Sequence, residues 1–354
     1  MILQDIFINR KAELKSIPRG LMLGQSFVLV APRRYGKTTL IKKILNNFNN
    51  DVKTIYLNVM RYAYSLDALT EAIVENCLAQ IGLAGKFKAW INNLNLRLDI
   101  KVKLQEFEIE TIIDKIRKKD SYSAFAQALE LQEKLAIQTK SRWVIVYDEV
   151  GELQNLDQQT IKIMRSVIQH HKHVSYIFAG SQESVMNKIF VSTTGAFYRF
   201  GTIYALAELE INDVIHFFKD NLNNVQQEVI DYIVEKFRGH PYYTTNIFFR
   251  ITLFSIERPK TSIDLKALAL ILNELLDSEN HYLDDQIKKL SKNKYYLMVL
   301  KAASFGNPYK IDGISKQTIY SNLRQLIKDG YIRKVDKQFI VTDPLLKLYL
   351  TEEI

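Results

Sequence analysis

Short, uninterrupted apolar runs alternate through the first half of the chain with stretches in which apolar residues recur every three or four positions. The runs are Ser26-Phe-Val-Leu-Val30, Thr54-Ile-Tyr-Leu-Asn-Val59, Trp143-Val-Ile-Val-Tyr147 and Val174-Ser-Tyr-Ile-Phe-Ala179. A strand that is apolar at consecutive positions is buried on both faces, as in a parallel sheet. Helical periodicity is expected near residues 66–81, 110–138 and 157–171. It also follows Gly36, where Leu40, Ile41, Ile44, Leu45 and Phe48 fall along one helical face. Strands alternating with helices predict an α/β fold, a parallel sheet with helices on both faces.

Two later patterns differ. Leu94, Leu96, Leu98, Ile100, Val102 and Leu104 alternate with polar residues, the period of a half-exposed strand, and predict a β insertion at about 94–109. From Asn212 to Arg258 the chain reads as helices interrupted at Gly239-His240-Pro241, where proline ends one helix and fixes a loop.

Composition narrows the class. With 354 residues, 47% apolar and 25% charged, the chain is an ordinary folded protein larger than one core usually serves, and two or three domains are expected. Its single cysteine, Cys77, excludes an intramolecular disulfide and reads as a buried structural thiol. No apolar stretch approaches the ~18 residues that span a bilayer, so no membrane segment is expected and the protein reads as cytoplasmic. The net charge of +9 is localised: residues 286–350 hold thirteen Lys and Arg against four Asp and Glu, a surplus equal to the whole. Such a cluster is the electrostatic footprint of contact with phosphate backbones, or else a solvated lysine-rich face. His170, His171 and His173 suggest a metal cluster, but neighbouring side chains on one helix or turn diverge and no fitting carboxylate or thiol lies near, so no metal is expected there.

The candidate chemistry begins at Ala31-Pro32-Arg33-Arg34-Tyr35-Gly36-Lys37-Thr38, a loop between an apolar strand and a helical pattern. Backbone N–H groups of such a loop point at phosphate oxygens, and a helix N-terminus favours their charge. Gly36 permits close approach, Lys37 bridges β- and γ-phosphates, Thr38 offers a hydroxyl to Mg²⁺, and Thr39 lies beside the α-phosphate. Ala31 stands where G-x-x-x-x-G-K-[ST] has its first glycine. Arg33 and Arg34 suit phosphate or a neighbouring subunit, or an exposed loop tip. The strand at 143–147 runs into Asp148 and Glu149, a first acid suited to Mg²⁺ and a second suited to polarising an attacking water. For Glu149 the alternative is a surface acid capping the following helix. Ser181, just past the fourth run, sits where ligands bind in open α/β sheets and is placed to sense a γ-phosphate. The ligand set expected from these residues is ATP or ADP with Mg²⁺.

At this point the chain resembles the archaeal-type ATPase family within the STAND class of AAA+-like P-loop ATPases. The resemblance runs through Phe7-Ile-Asn9-Arg10-Lys-Ala-Glu13-Leu14, Arg33 to Thr38, Asp148-Glu149, Gly180-Ser181 with Met186, Phe197-Tyr198-Arg199-Phe200, Gly239-His240-Pro241 and Asp343-Pro344-Leu-Leu-Lys-Leu-Tyr349-Leu350. It implies that Asn9, Arg10 and Pro241 shape an adenine pocket and that Ser181 is sensor 1. It also implies that Arg199 contacts phosphate, although Phe200 and Gly201 follow where the family has Gly-Arg-Ala.

The resemblance further implies three segments: an α/β ATPase domain over 1–208, a helical lid over 209–284 and a winged helix-turn-helix over 285–354. The residues support the last independently. Tyr295–Ala303 forms a first helix, and Ser315 can cap a second whose stripe is Ile319, Leu323, Leu326 and Ile327, stopped by Gly330. Tyr331–Val341 reads as a hairpin around Asp336-Lys337. The short span 304–314 leaves little room for a middle helix. Lys316, Gln317, Tyr320, Ser321 and Arg324 lie outward as candidate DNA contacts, with docking to a protein partner as the alternative. The expected function is a slowly hydrolysing ATP switch, or an ATP-licensed DNA-binding regulator or replication-type loader. No acceptor site of a small-molecule kinase is recognisable.

Overall fold

The computed structural model describes residues 6–82, 111, 114, 115, 118, 120–181, 183–335 and 338–351. The β insertion expected at 94–109 and the hairpin turn expected at Asp336-Lys337 lie outside the described residues. Contacts divide the chain into two compact units, one of Arg10–Ala207 and one of residues 1–9 with Glu208–Ile354.

The Arg10–Ala207 unit opens with α1 (Lys11–Met22) and β1 (Phe27–Val30), then α2 (Lys37–Asn46) and β2 (Val52–Asn58). After α3 (Leu66–Ala79) come α4 (Ser121–Thr139), β3 (Arg142–Asp148), α5 (Gln158–Ile168), β4 (Val174–Gly180) and β5 (Thr202–Ala205). All five strands are parallel, in the order β2-β3-β4-β1-β5. The four apolar runs expected as sheet strands are present as β1–β4, within two residues of their anticipated ends.

Strand periodicity divides the core. Val28, Val30, Ile55, Leu57, Trp143, Ile145, Tyr147, Tyr176 and Phe178 join one buried cluster with residues of α3, α4 and α5. The alternate positions face α1: the Ser175 hydroxyl donates to the Leu21 carbonyl at 2.7 Å, and a Cβ added to Gly20 would stand 2.4 Å from the Phe27 ring. Helices therefore cover both faces, and the sheet's polar ends alone remain for a ligand. One strand has no counterpart in the sequence reading. β5 is short, Thr202-Ile-Tyr-Ala205, and mostly exposed at the edge of the sheet. It is recruited by backbone pairing with β1, Phe27 opposite Thr202 through Val30 opposite Ala205.

The second unit is helical with a small hairpin. Its elements are α6 (Ile211–Asn221), α7 (Gln227–Phe237), α8 (Pro241–Glu257), α9 (Leu265–Ser291), α10 (Tyr296–Ser304), α11 (Lys316–Lys328), β6 (Ile332–Val335), β7 (Gln338–Val341) and α12 (Pro344–Thr351). Pro241 occupies the first turn of α8, where its missing N–H costs nothing. α9 is continuous for 27 residues across position 284, and a single apolar cluster runs from Leu209 to Leu350. The stretches anticipated as lid and C-terminal module thus share one core. Asp343 ties them further. Its Oδ2 accepts from Tyr243 at 3.0 Å and Tyr282 at 2.7 Å, while Oδ1 accepts from the N–H groups of Leu345 and Leu346 at the start of α12.

The helix pair near the C-terminus is built as the pattern requires. The Ser315 hydroxyl accepts from the Thr318 N–H at 3.1 Å, an N-cap worth about 1 kcal/mol. Ile319, Leu323 and Leu326 are buried, Gly330 is left-handed at φ 81°, and β6 and β7 pair antiparallel. No helix occurs between Phe305 and Ser315.

Candidate nucleotide site

The loop between β1 and α2 ends in a left-handed residue at Gly36, φ 80°. A Cβ there would meet no protein atom within 4 Å, so the demand for glycine is conformational, not steric. Arg34 also has positive φ, 70°. Tyr35 is buried and anchors the loop from below, whereas Arg33, Arg34 and Thr39 are exposed and Pro32 is half-buried. Lys37 and Thr38 open α2, with Lys37 only 6% exposed.

The sheet order brings the remaining groups to this loop. β4 lies between β1, which feeds the loop, and β3, which carries the acids. Residues leaving the C-terminal ends of all three strands therefore gather at one edge. The Thr38 hydroxyl donates to Asp148 Oδ2 at 2.8 Å. The Glu149 N–H donates to Asp148 Oδ1 at 2.9 Å, and Asp148 itself is 1% exposed. Lys37 Nζ stands 3.8 Å from Glu149 Oε1, and the Ser181 hydroxyl donates to Glu149 Oε2 at 2.9 Å. Burial pulls the Lys37 ammonium below the usual lysine range, against the opposing pull of Glu149 and Asp148.

Glu149 stands at the start of a 3-10 turn (Val150–Asn155), in a left-handed conformation at φ 51°, and its side chain makes no capping hydrogen bond. Its carboxylate faces Lys37 and Ser181 instead. A non-glycine residue held there costs about 1 kcal/mol or more, and β3 and the following turn impose it. Ser181 owes its position to Gly180, where an added Cβ would fall 2.4 Å from the sulfur of Met186. Only glycine lets that methionine close under the end of β4.

Lys37, Thr38, Asp148, Glu149 and Ser181 are thus brought together. Other anticipated residues are not part of this contact set. Arg199 is exposed, has φ 56° and lies with its guanidinium 5.3 Å from the Tyr198 ring. Its loop is pinned by Phe197 and Phe200, which pack on each other and on Phe178. Arg10 pairs with Glu13 at 3.3 Å and donates to the Ala207 carbonyl at 2.6 Å. Asn9 donates to Asp213 within the helical unit, where Pro241 also resides. Lys316, Gln317, Tyr320, Ser321 and Arg324 are all exposed along α11.

The three histidines take separate partners. His171 Nδ1 lies 2.6 Å from the Tyr176 hydroxyl, His173 Nδ1 lies 2.8 Å from Glu133, and His170 Nε2 lies 3.3 Å from Gln169. One contact was not legible in advance: the Tyr56 hydroxyl, from β2, donates to Asp148 Oδ2 at 2.6 Å. The sequence offered only a tyrosine in an apolar run, which reads as a good strand former.

Mg²⁺ is tested by donor chemistry. Thr38 and Asp148 present hard oxygen donors side by side, the type that ion takes when phosphate completes its shell. They are the residues that would hold it, and it would supply neutralisation of phosphate charge.

A parallel sheet that delivers a phosphate loop, its lysine and threonine, and a strand-borne Asp-Glu pair to one edge defines a P-loop nucleoside triphosphatase. A model of the ATPase domain predominantly from Archaea matches residues 7–247, and the chain belongs to that family. No curated protein matches it. Among solved structures it is similar to a Walker-type ATPase of Pyrococcus abyssi, at 14% identity and TM-score 0.66, covering 98% of this chain and 96% of that one. It is also similar to the ORC2 protein of Aeropyrum pernix in ADPNP–ADP complexes, at 11% identity and TM-score 0.60, with 98% and 93% covered. At these identities the likeness is one of fold.

Proposed function

We propose that the protein binds ATP with Mg²⁺ and hydrolyses it slowly, as a STAND-type molecular switch whose C-terminal winged helix-turn-helix acts on a partner. The observation that carries this is the contact of Lys37 and Ser181 with Glu149, beside the contact of Thr38 with Asp148. In this reading Lys37 and the backbone N–H groups of residues 33–39 receive the phosphates, with Pro32 shaping the loop and Arg33 and Arg34 at the rim. Thr38 and Asp148 hold Mg²⁺. Glu149 takes the proton of the attacking water, and Ser181 orients Glu149 and senses the γ-phosphate.

Asn9, Arg10 and Pro241 are assigned to the adenine, and Arg199 to the phosphates. Slow turnover is expected because Glu149 is itself engaged by two groups and must release them to meet water. Replacement of Glu149 by Gln removes the base and leaves its shape. ATPase activity should fall about 100-fold or more while ATP affinity stays within a few-fold. An unchanged rate would remove Glu149 from this role.

A second reading has a specific observation behind it, the basic surplus confined to residues 286–350 together with the exposed α11 face. In it, ATP licenses a DNA-binding regulator or replication-type loader. A localised basic surplus is the footprint of contact with phosphate backbones, which makes duplex DNA the partner to test first, with a protein ligand as the alternative outcome.

A further inference from the structure

We infer that Tyr56 is a positioning residue for the metal-binding carboxylate, an inference that rests on the nucleotide reading above. The parallel register of β2 and β3 sets Asn58 opposite Asp148 and Tyr56 opposite Val146. Successive side chains alternate between faces, so Tyr56 rises on the same face as Asp148, one pair behind it. Its hydroxyl reaches forward to Asp148 Oδ2 at 2.6 Å, the oxygen that also accepts from Thr38 at 2.8 Å. The other oxygen accepts from the Glu149 N–H at 2.9 Å.

Three donors from three elements therefore fix both oxygens of a carboxylate that is 1% exposed. Two of them, Thr38 and the Glu149 backbone, belong to the phosphate-binding and acidic motifs. Tyr56 belongs to neither. A tyrosine on this strand for packing alone would be served equally by phenylalanine; the hydroxyl is the part aimed at the acid. Outer-shell partners of metal ligands set the ligand's direction, and their loss typically costs about 10–100-fold in metal affinity. Tyr56 holds Asp148 toward Thr38, the two residues that would hold the cation, and without its hydroxyl one of the three donors that fix the carboxylate is lost.

The test separates metal affinity from nucleotide affinity and from folding. Binding of a fluorescent N-methylanthraniloyl ATP is measured on the full chain, wild type and Tyr56→Phe, first in EDTA and then over a Mg²⁺ titration, with thermal melting of both proteins. In the expected result the variant melts cooperatively and binds the nucleotide in EDTA within about twofold of wild type. Its half-saturating Mg²⁺ concentration rises about tenfold or more. An unshifted Mg²⁺ midpoint overturns the inference. So does equal weakening with and without Mg²⁺, which would make Tyr56 a packing residue only. Wild-type protein that binds no nucleotide at any Mg²⁺ concentration overturns the nucleotide reading, and this inference with it.

Discussion

His171 ends a chain of buried hydrogen bonds beneath the sheet. Gln132 donates to the Tyr147 hydroxyl at 2.6 Å, and the Tyr176 hydroxyl donates to Gln132 at 2.9 Å. His171 Nδ1, 2.6 Å from that hydroxyl, is then left as the donor to it. Burial pulls the imidazole pKa down to about 4, outweighing the attraction of Glu133. The unfolded chain takes up this proton near pH 6.5 while the folded chain resists until about pH 4. Stability is therefore lost as pH falls through that window and the loss levels off below it. The gap corresponds to at most about 3 kcal/mol, nearer 1–2 after allowance for the ring's remaining solvent contact. Melting temperatures at pH 7 and pH 4.5 should differ less for His171→Gln than for wild type. Identical pH dependence of the two proteins would contradict the assignment. That the three histidine side chains diverge is legible in the sequence; that Glu133 on α4 and Tyr176 on β4 are partners of His173 and His171 is not.

At the scale of elements, legibility followed burial. β1, β3 and β4 are apolar at nearly every position and were readable because both of their faces are covered. β5, Thr202-Ile-Tyr-Ala205, was not anticipated, because only four residues pair with β1 and that backbone pairing is not displayed by the sequence. Tyr56 was invisible for a related reason: its meaning depends on register with β3, a non-local property. α11 was readable from its cap, its stripe and its glycine stop, all local features.

The outward face of α11 is also where the second reading is tested. If it meets duplex DNA, neutralising Lys316 and Arg324 to Ala removes up to two phosphate contacts. Affinity at low salt should then fall about 10- to 100-fold and the salt slope lessen by about 1–2. Unchanged binding and slope would direct attention to a protein partner.

Over the whole molecule, two units each hold a core of their own. No helix among the described residues is long and apolar enough to cross a membrane. The class of the first unit could be read from the sequence because the loop at 31–38 and the acids at 148–149 are contiguous motifs. The unity of the second could not, since α9 and Asp343 join stretches that the family resemblance separates. The proposed function depends on the edge of the sheet receiving a nucleotide. The direct measurement is calorimetric titration of ATP with Mg²⁺ into wild-type protein and Lys37→Ala. Saturable binding by wild type at one site per chain, weakened at least about 100-fold in the variant, is the outcome the account predicts. Equal affinity of the two proteins, or no binding by wild type, would contradict it.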